Sequence, residues 1–263
     1  MGLLIVTPSL LLGGHVAGPG ELALLLSIIF AVAVFLEYRT SYPSFVEFRD
    51  APPINRIRFV SLLLIVFFLS IIAKHLYSPT NLTGMVSGIG SMIGTALDFP
   101  YSPVRMVLLM LPDGVSSTTV HTVRASAGLS YLIAVATVVV FYLIVRISGW
   151  PTANGAFNVW VNLPLFDPTV GGDVVHRLHR DARVNMIIGV LLPFLIPAAI
   201  VMASRFVPPM NMANPHVLIW TVSGWAFLPA SMIIRGIALF RVSDLIEEKR
   251  RRTYANAEHM QTA

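Results

Sequence analysis

The chain has 263 residues, 56% hydrophobic and only 12% charged, with a net charge of +5 and a mean hydropathy of +0.76. A soluble domain carries about 25% charged residues, so a chain with half that share cannot clothe a water-facing surface. A soluble enzyme, a disordered chain and a nucleic-acid-binding domain are excluded, and the lack of cysteine excludes disulfides, thiolate metal sites and thiol nucleophiles.

The composition implies an all-α fold, a polytopic transmembrane helical bundle. A spanning helix needs roughly 20 mostly apolar residues. Five stretches meet that length: 17–36, 59–77, 125–145, 184–203 and 217–240. Ahead of them, 3–12 has the length of a signal-peptide core but no basic flank, and no cleavage is expected. Between the second and third spans, 84–97 and 104–111 are apolar but short. A helix over 84–97 would be about 21 Å long against a hydrocarbon core near 30 Å. The segment 77–124 is therefore expected to form an outer cap of interfacial or re-entrant pieces. An inner loop, 149–183, carries an amphipathic helix. The tail, 241–263, continues as a solvated helix with Glu247/Arg251 and Glu248/Arg252 at i, i+4.

Orientation follows from the cations. With the N-terminus outside, only Lys74, Arg105, Arg124 and Arg205 fall on outer segments, and all other Lys and Arg fall on inner ones. The positive-inside rule then predicts an outer N-terminus and a cytoplasmic C-terminus, and the bias to arginine, with Lys74 and Lys249 the only lysines, suggests a bacterial inner membrane with the N-terminus periplasmic. The basic charge is a topology signal that requires no nucleic acid. Tyr38, Tyr42 and Trp150 are expected at inner helix ends, Tyr77 and Trp220 at outer ones, and Trp225 at a helix–helix contact. No carboxylate falls in the middle of a span. Arg235 is the one charge inside one, near enough to its inner end to snorkel. This argues against a proton-coupled transporter.

Four groups of residues carry candidate chemistry. His15, His75, His121 and His216 lie near the outer ends of different spans, with His121 expected in a loop. Imidazoles at one depth can ligate haem or copper, with His75, His121 and His216 as the cofactor set. The run from Pro208 to His216 adds the thioethers Met210 and Met212, so that Met210, Met212 and His216 form a copper candidate. The competing reading is ordinary interfacial histidines. In the second group, 100° per residue places Val174, Val175, Leu178 and Ala182 on one helix face and His176, His179, Arg180 and Arg183 on the other. That predicts an amphipathic helix in the inner interface, its basic face on anionic lipid headgroups or an acidic partner. Third, Pro193, Pro197 and Pro229 free the carbonyls of Gly189, Pro193 and Trp225 from their helical partners. These positions are either hinges packed by neighbours or a broken-helix cation site. Fourth, Gly84/Gly88 and Gly90/Gly94 have the spacing that lets helices approach closely, with packing preferred over a pore lining.

The loops 42–53 and 149–173 hold Phe45, Trp150, Phe157, Trp160, Leu165 and Phe166 among prolines and glycines. Segments that apolar must pack on the bundle or on another subunit, and they are the strongest sign of a partner. No GxSxG, HExxH, P-loop, GxGxxG or EF-hand signature is present. The leading expectation is a non-catalytic membrane subunit held by helix packing among other membrane protein subunits. The rivals are a redox or metal-handling protein and a passive channel.

Overall fold

The computed structural model describes residues 1–15, 20–41, 43–151, 157–167, 169 and 171–261, without the side chains of His15 and 257–261. Tyr42 and the expected start of the first span at 17–19 lie outside the described residues. The described residues form an all-α bundle of nine helices. They are α1 (Gly2–Leu12), α2 (Gly20–Arg39), α3 (Ile54–His75), α4 (Asn81–Leu97), α5 (Pro103–Leu108), α6 (Ser117–Ile147), α7 (Val159–Asn162), α8 (Val174–Ala203) and α9 (Pro215–Gln261). Five of them, α2, α3, α6, α8 and α9, are long and apolar enough to cross a bilayer. The chain is a multi-pass membrane protein.

The 3–12 segment forms a packed element: Leu4 and Leu12 are buried in the main core with Leu69, Val222 and Trp225. Two expectations change. α6 starts eight residues earlier than the predicted span. Ser116 caps it by accepting a hydrogen bond from the Thr119 N–H, so His121 is helical rather than in a loop. The predicted amphipathic helix is not a separate in-plane element. It is the first part of α8, which runs unbroken for 30 residues, about 45 Å. Its apolar face, Val175, Leu178 and Ala182, is buried against α9 instead of lipid.

α8 and α9 form a long antiparallel hairpin, and small residues set its spacing. A Cβ on Gly189 would lie 3.0 Å from the Pro229 carbonyl oxygen, and one on Gly236 3.0 Å from that of Ala182. Further along, the Ser243 hydroxyl donates to the Val175 carbonyl and Arg250 bonds Asp173, the N-cap of α8. Asn214 caps α9 by accepting from the His216 N–H, with Pro215 in the first turn.

α4 crosses α3 and α6 near one end of the bundle. Thr80 and Thr83 form its capping box. Of its four glycines, Gly90 and Gly94 face neighbours. A Cβ on Gly94 would sit 2.5 Å from the Arg124 carbonyl oxygen, and one on Gly128 of α6 2.6 Å from Gly94 N. Gly84 has only the edge of His75 nearby, and Gly88 has open space. One residue past α4, Asp98 lies 2.7 Å from Arg105 Nε and 2.9 Å from Arg124 Nε. Asp98 Oδ1 faces Arg105 and Oδ2 faces Arg124, each close as an ion pair but not aligned as a hydrogen bond. The contacts tie α4, α5 and α6 together by charge.

α8 stays helical through Pro193 and Pro197. The carbonyl of Pro193, freed by Pro197, accepts a 2.9 Å hydrogen bond from the indole of Trp225, a residue stacked on Tyr131. The freed acceptor is thus satisfied by a neighbouring helix.

Two stability outcomes follow from this packing. Gly94→Leu is expected to destabilise the protein in detergent by about 3 kcal/mol or more, since a backbone carbonyl cannot move aside as a side chain can. Gly88→Ala is expected to be neutral or stabilising by up to about 1 kcal/mol. Equal effects of the two on thermal unfolding would contradict the packing. Trp225→Phe keeps a ring beside Tyr131 but strands the Pro193 carbonyl, for an expected loss of about 1–3 kcal/mol in the same assay.

Candidate functional site: an ion-paired cleft

The loop after α2 is organised by one carboxylate. Glu37 Oε1 accepts hydrogen bonds from the backbone N–H groups of Ser44, Phe45 (2.7 Å) and Val46 (3.1 Å). Arg49 reaches back to the carbonyls of Glu37 and Thr40. These bonds fold residues 43–53 against the end of α2. Asn162 of α7 then fastens the loop: its carbonyl accepts from Phe48 N–H and its side-chain oxygen from Asp50 N–H. The Trp150 indole donates to the Ala51 carbonyl, and Arg241 of α9 donates to the Trp150 carbonyl. Phe48, Trp150, Leu163 and Phe166 pack with Phe141, Leu178 and Leu239 in one buried cluster, and Arg177 stands over the Phe166 ring. The aromatic loops therefore pack largely on the chain's own bundle, while Phe45, Trp160 and Leu165 stay exposed.

This fold delivers Glu47 to Arg235. Arg235 donates from Nε to Oε2 at 2.5 Å and from Nη2 to Oε1 at 2.7 Å, a bidentate pair. The Glu47 side chain is 9% exposed and that of Arg235 26%. The expectation that Arg235 snorkels is corrected: the loop brings a carboxylate to the guanidinium, and the charge is neutralised in place. Asn55 donates to the Glu47 carbonyl, and Arg58 of α3 donates to the Ser231 hydroxyl of α9. Together with Phe45, Leu165 and Asn185 these groups line an open cleft of about 380 Å³. Two guanidiniums and one carboxylate leave it net positive. The arrangement fastens α3, α9 and the loop after α2 to one another.

His75, His121 and His216 belong to three different helices, α3, α6 and α9. His75 at the end of α3 bonds the Thr83 hydroxyl at 3.1 Å. His121 lines a shallow pocket with Ser87 and Thr118. His216 lies in the first turn of α9, and Met212 is buried in the main core. Met210 Sδ accepts from the Thr221 hydroxyl at 3.9 Å. Among the described residues, no three or more His, Cys, Asp or Glu side chains are grouped to hold a metal ion. On α8, His176, Arg180 and Arg183 are exposed, but His179 is not on that free face. It packs on Phe240, bonds Ser243 at 3.0 Å and lies 3.7 Å from Asp244. Nearby, the hydrogen bond from Arg250 holds the Asp173 carboxyl below its ordinary value.

No known family, no curated protein and no solved structure matches the chain.

A double-mutant cycle tests the pair. Fully buried pairs lose about 3–5 kcal/mol when one partner is removed and exposed ones about 0–1 kcal/mol. With Glu47 buried and Arg235 partly exposed, Glu47→Ala is expected between these, near ~2 kcal/mol. Adding Arg235→Met should restore part of that loss, because it removes the stranded charge. Simple additivity in thermal unfolding would refute the coupling.

Proposed function

We propose that the protein is a non-catalytic subunit or scaffold of a bacterial inner-membrane assembly. In this reading the arginine-rich end lies in the cytoplasm, in line with the positive-inside rule. The observation that carries it is the position of α2. Only 11% of its most apolar stretch is buried inside the chain, against 56% for α9. α2 is held to the rest through α1, where Gly2 meets Ser27 and Ala31. Leu25, Ile29, Phe30, Val32 and Phe35 are all exposed along it.

The polar groups support the same reading. Glu37 is engaged by three backbone N–H groups, Glu47 by Arg235, and Asp98 by two arginines. Each joins elements of the fold, which is the work of a scaffold. The large outward apolar face of α2 is then available to other membrane subunits.

Photo-crosslinking in native membranes tests the proposal. A photoreactive amino acid at Phe30 or Phe35 is expected to trap a discrete partner band, and the same probe at Ile147, beyond the core of α6, is expected not to. Lipid adducts alone at both α2 positions would overturn the reading.

A further inference from the structure

α6 and α8 each pack along α9, and between them lies a groove of about 550 Å³. That is within the range of small-ligand pockets, about 300–1,000 Å³. For most of its length it is apolar, lined by Val138 and Val139 of α6, Met186 of α8, and Ile233 and Ile237 of α9. Its character changes at the arginine-rich end of the bundle, where Tyr142, Arg146, Arg241 and Asp244 close it.

The polar end is prearranged. Arg146 lies over the Tyr142 ring, 5.5 Å from its centroid, and its Nε donates to the Tyr142 hydroxyl at 3.1 Å. Arg241 is fixed from behind by donating its Nε to the Trp150 carbonyl. Asp244 leans to the other side, 3.7 Å from His179 Nε2. Two guanidiniums therefore stand at the mouth of an apolar trough, and the one carboxylate there is directed to α8.

We propose that this groove binds an anionic phospholipid. Its phosphodiester sits at Arg146 and Arg241, and an acyl chain runs along Val139 and Ile237. The charge and shape argue for this occupant together. Guanidinium forks suit phosphate oxygens, and an apolar trough running from them toward the membrane interior suits the attached chain. A soluble phosphate would leave the trough unfilled, and an apolar helix would leave the two arginines without an anion. The site is separate from the α2 face, so it stands whether or not α2 has a partner.

The test uses the full chain, purified in mild detergent and stripped of lipid. Phosphatidylglycerol and phosphatidylcholine of the same acyl composition are titrated in, and retention is read by native mass spectrometry. Glycerol phosphate serves as the chainless control. The wild-type protein is expected to retain one phosphatidylglycerol in preference to phosphatidylcholine by about fivefold or more, the scale of one cation near a charged headgroup. Arg146→Glu should abolish that preference. Val139→Trp, which fills the trough, should reduce retention of both lipids. Arg56→Glu, an exposed charge at the start of α3 and outside the groove, should leave the preference intact. Glycerol phosphate should show no retention.

Equal retention of the two lipids by wild type would overturn the proposal. So would a preference that survives Arg146→Glu, or one that is lost in Arg56→Glu. Retention of glycerol phosphate in place of lipid would also overturn it. Circular dichroism identifies a Val139→Trp protein that fails to fold, and the solvent-facing Arg146→Glu keeps the test decisive in that case.

Discussion

In lipid, apolar side chains gain little by leaving acyl chains for one another. Helices associate where their backbones can come close and where polar groups need partners. Both conditions hold at the same interfaces here. Gly94 meets Gly128 where α4 crosses α6, and Gly189 and Gly236 bring α8 and α9 together over many turns. The Trp225 indole then crosses that second interface to the Pro193 carbonyl. The prolines of α8 are tolerated because α9 is near enough to satisfy the backbone they disturb. α9 also floors the lipid-sized groove, carries Arg235 and receives the apolar face of α8, so most of the other features rest on that contact.

The arginine-rich end is built differently. There, polar groups of the loops bond to loop and helix backbone. Glu37 gathers three N–H groups, Asn162 takes two more, and Trp150 links the loop before α3 to the one after α6. The outcome is a plate of ordered loop that places Glu47 beside Arg235. An irregular backbone packed against the bundle is acceptable because its donors are matched within the protein.

The cleft was illegible in the sequence for a definite reason. Glu47 and Arg235 are 188 residues apart, and no local pattern encodes a contact at that separation. Glu47 reads as one more charge in a polar loop, and Arg235 as a snorkelling side chain. Similarly, the glycine spacing in α4 named four candidates but not which two face a neighbour, and it overlooked Gly128, Gly189 and Gly236 because they form no obvious pair. A small residue declares its role only when the opposing backbone is known. The 100° pattern of 174–183 did separate an apolar from a basic face. It left open whether the apolar side meets lipid or protein, since both are equally apolar.

The amino-acid sequence by itself determined the class of protein, the number of long apolar helices and their approximate limits. Those follow from the roughly 20-residue length that a bilayer imposes and from the exclusion of charge from it, both of which are local in the chain. Tertiary structure alone decided that α1 belongs to the core, that α8 is one helix from Val174 to Ala203, and that a loop carboxylate neutralises Arg235. These depend on which backbones approach closely and which distant polar groups then meet. Hydrophobicity sets the depth of a residue in the membrane, but it does not choose the residue's neighbour.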